Sequence, residues 1–255
     1  MLGQHIRCRL ENSAFIANSL EKRRLVASTI LSLGQPYDLM SFGLADTHLH
    51  MGNAGDRDGT ELARRVEISL TLKLKRGVGF RKVKVTEVHD QWHLERVFGY
   101  VLEQDEHHEV HADPLREATN IPDLLGMRVT GRYTIGNVRK TLPRVSRARL
   151  LRLLGVDELV PADGPLEHIE PAAAAALCLP DLAGRSELAL TGKRAVIKIV
   201  GDRLNTTQLG DLLGLHRTTI NRLRRRPVDF EVVKATRLQL GHWRSRWELM
   251  HNAGG

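Results

Sequence analysis

The sequence predicts an α+β fold for its N-terminal half and a helical fold for its C-terminal half. Between residues 4 and 108, segments with the two-residue period of a strand alternate with segments of helical spacing. Short helical pieces separated by Pro and Gly follow over residues 113–170, and a compact helical pattern begins near residue 186. Helices that cover one side of a mainly antiparallel sheet form an α+β sandwich, which is the arrangement expected here.

The N-terminal elements follow from their periodicity and their stop signals. QHIRCRL alternates enough for a strand, and SLEKRRLVASTILSLG has apolar residues at helical spacing until Gly34, a helix stop. FRKVKVTEV alternates Val with Lys and Glu, which predicts a strand with one wet, basic face. The predicted order is a strand at 4–10, a helix at 19–34, two strands or one bent strand at 37–51, a helix at 58–77, a strand at 80–88 and a helix at 90–108.

Composition narrows the class of partner. The chain has 255 residues and a formal net charge of +8, so one or two domains and an acidic partner, nucleic acid first, are expected. Two cysteines far apart in sequence, Cys8 and Cys178, fit a reducing compartment. The sequence shows neither an apolar run of the ~20 residues that span a membrane nor the apolar core of a secretory signal. We therefore expect a cytoplasmic protein without membrane contacts.

Two histidines one residue apart, His48 and His50, stand in the stretch LADTHLHMGNAG. In a strand, side chains at positions i and i+2 point to the same face. Two imidazoles side by side on one sheet face suit a divalent metal ion, whereas a folded core would have to give each ring a polar partner. The alternative interpretation is a pair of half-buried or surface histidines.

The helix predicted at residues 90–108 carries unusual side chains on one stripe. Helical spacing places His93, Val97, Tyr100 and Gln104 on the same face. A phenol can act as a nucleophile and form a covalent intermediate, and an amide oxygen is a suitable third ligand beside two imidazoles. His93 is a candidate base for the phenol. The alternative is a tyrosine packed at a helix–sheet boundary with the glutamine in solvent.

Together, His-Leu-His on a strand and Tyr-x-x-x-Gln on a later helix resemble the single-tyrosine HUH transposases, which include the REP-associated tyrosine transposases of bacteria. The resemblance covers residues 4–115 and implies a ferredoxin-like catalytic domain. It implies that His48, His50 and Gln104 bind Mg²⁺ or Mn²⁺, and that Tyr100 attacks a phosphodiester of single-stranded hairpin DNA. The implied product is a 5′-phosphotyrosine linkage with a free 3′-OH. The same resemblance implies a bacterial, nucleoid-associated location.

Two features depart from that family's pattern. The strand is expected to end early, because MGNAGDRDG follows the histidine pair where an apolar strand usually continues. The Asn-Pro that usually follows the tyrosine segment in REP-associated members is absent, and EHHEV stands in its place. These departures keep open a second hypothesis, in which DNA binding is retained without chemistry.

A rival metal site could be formed by other histidines and carboxylates of the same region. His89 and His93 lie at positions i and i+4 of a helix start, a spacing that can bind zinc. Further candidate ligands cluster downstream, at Glu103, Glu106, His107, His108, Glu109, His111 and Asp113. No third ligand is fixed by the spacing, so a solvated acidic and histidine-rich helix exit is the preferred interpretation.

The second informative stretch is TTQLGDLLGLHRTTINRLRRR, residues 206–226. Gly214 fits the left-handed position of a tight turn, and Gly210 permits close approach of the flanking helices. This pattern predicts a helix-turn-helix whose second helix enters the major groove of duplex DNA, with further helices at 194–204 and 229–250. The alternative is a basic helical hairpin that binds protein. The residues expected to contact bases and phosphates are His216, Arg217, Thr218, Thr219, Asn221, Arg222, Arg224, Arg225 and Arg226.

These inferences divide the chain into a catalytic domain at 1–115, a mostly helical connecting region at 116–185 and a helix-turn-helix domain at 186–255. The leading hypothesis is a DNA transposase, monomeric or homodimeric, that cleaves and rejoins single-stranded DNA with metal assistance. The second is a non-catalytic, domesticated DNA-binding regulator. The third is a metal-dependent nuclease without a covalent intermediate.

Overall fold

The structure, a computed structural model, describes residues 1–252 apart from 13, 76, 105–112 and 114, with side chains described as far as residue 245. The chain forms two compact units. The first contains residues 1–125 and 130–155, and the second contains residues 126–129 and 156–255. Over the described residues, no helix combines the length and the apolar character needed to cross a membrane.

The first unit is built on a four-stranded antiparallel sheet in the order β2-β3-β1-β4. Its strands are β1 (Gly3–Arg9), β2 (Leu39–Leu44), β3 (His48–Ala54) and β4 (Lys84–Val88). Its helices are α1 (Leu20–Gly34), α2 (Gly59–Lys73), α3 (Gln91–Leu102), α4 (Ile121–Leu124), α5 (Tyr133–Thr141) and α6 (Arg147–Leu154). The predicted α+β class is confirmed, and the order β-α-β-β-α-β is that of the split βαβ motif.

Side-chain caps fix where the main helices begin. Ser19, Asp58 and Asp90 each accept a hydrogen bond from a backbone N–H in the first turn of α1, α2 and α3 respectively. The cap at Asp90 lies two residues after the end of β4, so that α3 starts directly beside the sheet. These caps are local signals, which is why the sequence predicts the helix starts closely.

The two faces of the sheet have different coverings. Ile6 and Cys8 of β1 are fully buried on one face, and there Gly59 at the start of α2 lies against the Ile6 side chain. On the opposite face, Gly3 lies against Leu94 of α3. The expectation that helices cover only one side of the sheet is therefore wrong. A glycine at position 3 removes the Cβ that would keep α3 away from the second face.

Residues beyond the predicted catalytic domain complete the edge of β2. The side chain of Asn120 accepts a hydrogen bond from Phe42 N at 2.9 Å and donates one to Met40 O at 2.8 Å. Glu117 forms a buried ion pair with Arg24 of α1 at 2.8 Å. These contacts join residues 116–125 to the sheet unit. The division of the chain into three parts at residues 115 and 185 stays a prediction. In the structure, the predicted connecting region is shared between the two compact units, with 116–125 and 130–155 in the first and the rest in the second.

The second unit is a cluster of helices. They are α7 (Leu166–Ala176), α8 (Glu187–Val200), α9 (Thr206–Leu213), α10 (Arg217–Arg224) and α11 (Phe230–Asn252). The alanines at 172–176 of α7 are fully buried, and their small side chains let α8 and α11 pack closely against them. The core of this unit therefore begins with α7 and includes residues well before 186.

Candidate active site

The histidine pair lies at the start of β3, in the middle of the sheet. Because β3 pairs with both β1 and β2, it continues to Ala54 with Leu49 and Met51 fully buried. The expected early end of this strand after His50 is wrong. The residues between β2 and β3, 45–47, lie before His48. The backbone that follows His50 is therefore hydrogen-bonded within the sheet and supports the histidine pair from that side.

The two imidazoles share one face of the sheet, as predicted. The ring centroids of His48 and His50 are 4.9 Å apart with the planes at 67°. His50 is 1% exposed, whereas His48 is half-buried and has its Nδ1 3.1 Å from the hydroxyl of Thr47. One ring is thus sequestered and the other is partly accessible to solvent.

Tyr100 of α3 completes an aromatic cluster with these rings. Its ring meets His50 edge-on, with centroids 5.3 Å apart, and the residue is 36% exposed. Gly43 of β2 makes this approach possible, because it pairs in register with His50 and a Cβ there would overlap the Val101 carbonyl oxygen. A tyrosine that is partly exposed to solvent therefore packs edge-on against the buried histidine.

Gln104 is also part of this site, although it is two residues beyond the end of α3. Gln104 is itself helical, and only the turn residue Glu103 separates it from the end of α3 at Leu102. The amide nevertheless remains beside the last turn, since its Nε2 donates to the Tyr100 carbonyl oxygen at 2.7 Å. Gln104 is fully buried, and its Oε1 has no hydrogen-bond partner within the described part of the chain. A buried acceptor of this kind is costly unless a ligand satisfies it.

The structure adds a residue that the sequence analysis missed, His5 of β1. Its Nε2 lies 2.8 Å from Nδ1 of His50, and its ring meets Tyr100 edge-on at 5.8 Å. Burial lowers the pKa of His5 to about 4, and the cations Arg7 and Lys84 together with His93 add to the effect. The alternation in QHIRCRL is a signal for the face of His5, but no sequence pattern gives the pairing of β1 with β3.

Cations border the histidines on the same face. Arg7 pairs in register with His50 on one side and with Lys84 on the other, and Arg9 pairs with His48. Residues directly opposite in an antiparallel pair lie on the same face. All three cationic side chains are exposed. The exposed part of this face therefore carries positive charge next to the histidines.

The rival zinc site does not assemble from its described members. His89 is exposed and lies 3.3 Å from Glu87, His93 is in the surroundings of His5, and Asp113 accepts a hydrogen bond from Ala118 N. Glu106, His107, His108, Glu109 and His111 lie outside the described residues. In the part of the chain that the structure describes, no group of three or more His, Cys, Asp or Glu side chains is placed to hold a metal ion. The metal ligands predicted from the sequence, His48, His50 and Gln104, include an amide and are therefore not a group of this kind.

A substitution at Gly43 tests how closely α3 approaches the sheet. Gly43→Ala is expected to lower the free energy of unfolding by about 1–3 kcal/mol, because the added methyl group meets backbone that must move. We expect the same displacement to loosen Tyr100 and Gln104 over His50. The matched control is Gly136→Ala within α5, where a Cβ meets nothing within 4 Å. Equal stability of both variants in urea unfolding would contradict the close approach.

The second unit contains the helix pair predicted at residues 206–226. Gly214 takes the left-handed conformation with φ of 59° between α9 and α10. A Cβ at Gly210 would lie 2.6 Å from the carbonyl oxygen of Leu215, so this glycine lets the turn close tightly. Leu209 and Ile220 are fully buried between the helices. Two helices joined by a tight turn therefore lie where the sequence predicts them.

The helix α10 has one buried and one exposed face. Ile220 and Leu223 are buried, and Thr219 is half-buried. The exposed residues of the predicted set are His216, Arg217, Thr218, Asn221, Arg222, Arg224, Arg225 and Arg226. A concave surface is lined by Thr218, Asn221, Arg222, Arg225, Arg226 and Pro227.

Two of these residues also have roles within the unit. His216 is the N-cap of α10, where its side chain accepts a hydrogen bond from Thr218 N. The guanidinium of Arg224 donates to Thr206 Oγ1 at 3.0 Å and to Leu204 O at 3.4 Å. Arg224 thus supports the start of α9, while Arg222 and Arg225 line the concave surface.

Comparisons with known proteins do not assign this chain to a family. No family model matches the chain, and no curated protein matches it. Among solved structures, a REP-associated tyrosine transposase bound to a REP hairpin is similar, with 11% identity, a TM-score of 0.37, and coverage of 42% of this chain and 68% of that chain. A similarity this distant carries no argument about the chemistry of this chain.

Proposed function

We propose that this protein is a DNA strand transferase of the single-tyrosine transposase type, which cleaves single-stranded DNA through Tyr100. The observation that carries the proposal is the placement of a solvent-accessible phenol against His50, on the face that also holds His48 and Gln104. A structural tyrosine would not need two histidines and a buried amide acceptor beside it. The cations Arg7, Arg9 and Lys84 on the same face give a surface that suits a phosphate backbone.

The donor atoms at this site fit a divalent cation. His48 and His50 supply imidazoles, and Gln104 supplies the buried amide oxygen that lacks a hydrogen-bond partner among the described residues. Imidazole suits transition metals, whereas Mg²⁺ prefers an all-oxygen shell with several waters. We therefore expect Mn²⁺ to support the reaction better than Mg²⁺. A bound cation would polarise the scissile phosphate and offset the charge that develops on it.

The reaction proposed is a transesterification. The Oη of Tyr100 forms a bond to phosphorus, the bond from phosphorus to the 3′ oxygen breaks, and that oxygen takes up a proton and leaves as a free 3′-OH. A free phenol has a pKa near 10 and is largely protonated at neutral pH, so its proton must leave during the attack. Because Tyr100 is 36% exposed, water can accept this proton. One phosphodiester is exchanged for another, so the reverse step rejoins DNA without a nucleotide cofactor.

The experiment that tests this function is incubation with single-stranded hairpin DNA and Mn²⁺, followed by a denaturing gel. A covalent protein–DNA band supports the proposal. Tight binding of DNA with no cleavage of any hairpin supports the regulator hypothesis instead. Cleavage without a covalent band supports a metal-dependent nuclease that uses water.

The second unit is proposed to bind duplex DNA through α10. Arg222→Ala combined with Arg225→Ala is expected to weaken duplex binding and to reduce the salt slope, log Kobs against log[salt], by about 1 for each lost phosphate contact. Lys198→Ala on α8 is a matched control, because Lys198 is an exposed cation on another helix of the unit. If the double variant and the control show the same salt slope, α10 does not contact the DNA backbone.

A further inference from the structure

The side chain of His5 has no part in the reaction proposed above, although it lies at hydrogen-bond distance from one of the proposed metal ligands. Its Nε2 is 2.8 Å from Nδ1 of His50, and the ring planes are 24° apart. Two imidazole nitrogens at hydrogen-bond distance share a single proton, so one ring donates and the other accepts. Which ring donates determines which nitrogen of His50 can bind a cation.

We propose that His5 is a positioning residue that accepts a hydrogen bond from Nδ1–H of His50 and thereby presents Nε2 of His50 to the cation. This inference rests on the proposed metal site. A ligating nitrogen must offer its lone pair, and metal-bound histidines generally donate their other ring N–H to a partner that fixes the tautomer and the orientation of the ring. The usual partner is a carboxylate, a carbonyl or water, and here it is a second imidazole.

The sheet register explains why His5 can fill this place. The residue directly opposite His5 on β3 is Gly52, so no side chain stands beside the His5 ring on that strand. His50 is the diagonal neighbour of His5, at a distance that an aromatic side chain can reach. His50 is only 1% exposed, so bulk water cannot readily replace the imidazole as its hydrogen-bond partner.

The contact also bears on the nucleophile. The ring of Tyr100 meets both His5 and His50 edge-on, with centroids at 5.8 and 5.3 Å. A fixed His50 ring therefore also fixes one wall against which the phenol packs. His5 therefore also helps to position the Tyr100 ring, although it does not contact the reacting phosphate.

Two substitutions separate positioning from simple packing. His5→Gln places an amide oxygen near the position of Nε2 and can still accept the hydrogen bond. His5→Leu fills similar space and cannot accept it. Thermal unfolding of both metal-free variants, followed by circular dichroism, establishes that the fold is retained before any other comparison is made.

The direct readout is the tautomer of His50 in the metal-free protein, measured from the two-bond ¹H–¹⁵N correlations of its ring and assigned with His50→Asn. We expect Nδ1–H in the wild type and in His5→Gln, and a shift to Nε2–H in His5→Leu. The Nε2–H tautomer in the wild type would overturn the proposal. This readout requires neither metal nor activity, so it distinguishes a failure of the His5 assignment from a failure of the proposed function.

The second readout is the affinity for Co²⁺, followed by its visible absorption. Loss of a metal-orienting partner typically costs 10–100-fold in affinity, and we expect a loss of about this size in His5→Leu and near wild-type affinity in His5→Gln. Equal loss in both variants would overturn the proposal and favour His5 as a ligand. If the wild type binds no Co²⁺ while His50 is the Nδ1–H tautomer, the metal site fails and the tautomer assignment stands.

Discussion

Replacing Tyr100 with Phe is expected to eliminate the covalent protein–DNA adduct and to reduce cleavage of single-stranded hairpin DNA by about 10³-fold or more. The substitution removes only the oxygen that would attack phosphorus. The phenyl ring keeps its edge contacts with His5 and His50, so the fold and the DNA affinity should survive. The measurement is the yield of adduct and of cleaved strand on denaturing gels with Mn²⁺ present.

The matched control is Tyr37→Phe, the same chemical change at one of the chain's three tyrosines. Tyr37 lies beneath the guanidinium of Arg65, at 5.9 Å, and is expected to have no role in cleavage. If Tyr100→Phe and wild type give the same cleavage products, water is the nucleophile and the nuclease hypothesis replaces the transferase.

The second large effect is expected at the histidine pair. His48→Ala and His50→Ala should each abolish cleavage and metal binding, because either change removes one of three donors. Binding of duplex DNA should be nearly unchanged, since the second unit is proposed to supply it. His48→Ala is the cleaner variant because His48 is half-buried, whereas His50 is 1% exposed and its loss leaves a cavity.

A matched variant for the histidine pair is His89→Ala. His89 is exposed, with 67% of its side chain accessible. It belongs to the rival zinc site, in which it would bind the metal together with His93. We expect it to leave cleavage and Mn²⁺ binding unchanged. Cleavage that persists in His48→Ala and is lost in His89→Ala would favour the rival site.

Local signals account for what the sequence predicts well. The two-residue period fixes the common face of His48 and His50 in any strand that contains them. The caps at Ser19, Asp58 and Asp90 lie one residue before their helices and are visible in the sequence. Gly214, in the left-handed conformation, likewise requires only local backbone geometry.

Long-range contacts account for what the sequence does not predict. His5 and His50 are 45 residues apart in the chain, and only the register of β1 against β3 brings them together. The face that α3 covers depends on glycines at positions 3 and 43, which meet a distant helix. Asn120 completes the edge of β2 from 78 residues away, so the extent of the sheet unit could not be read from composition.

The position of Gln104 is predicted only in part, although this residue is close to Tyr100 in the sequence. Spacing alone predicts that its side chain lies one turn beyond Tyr100, and its amide does contact the Tyr100 carbonyl oxygen. The end of α3 at Leu102 was not visible in the helical pattern, which continues past that residue. The side-chain contact is retained although the helix is interrupted at Glu103.

Whether Tyr100 forms a 5′-phosphotyrosine linkage is shown by the position of the label in a covalent adduct. A pool of single-stranded hairpins with randomised flanks is labelled at either the 5′ or the 3′ end and incubated with wild-type protein and Mn²⁺. We expect the protein to retain only the 3′ label and the modified tryptic peptide to contain Tyr100. Retention of the 5′ label, modification of another residue, or no adduct from either pool would contradict it.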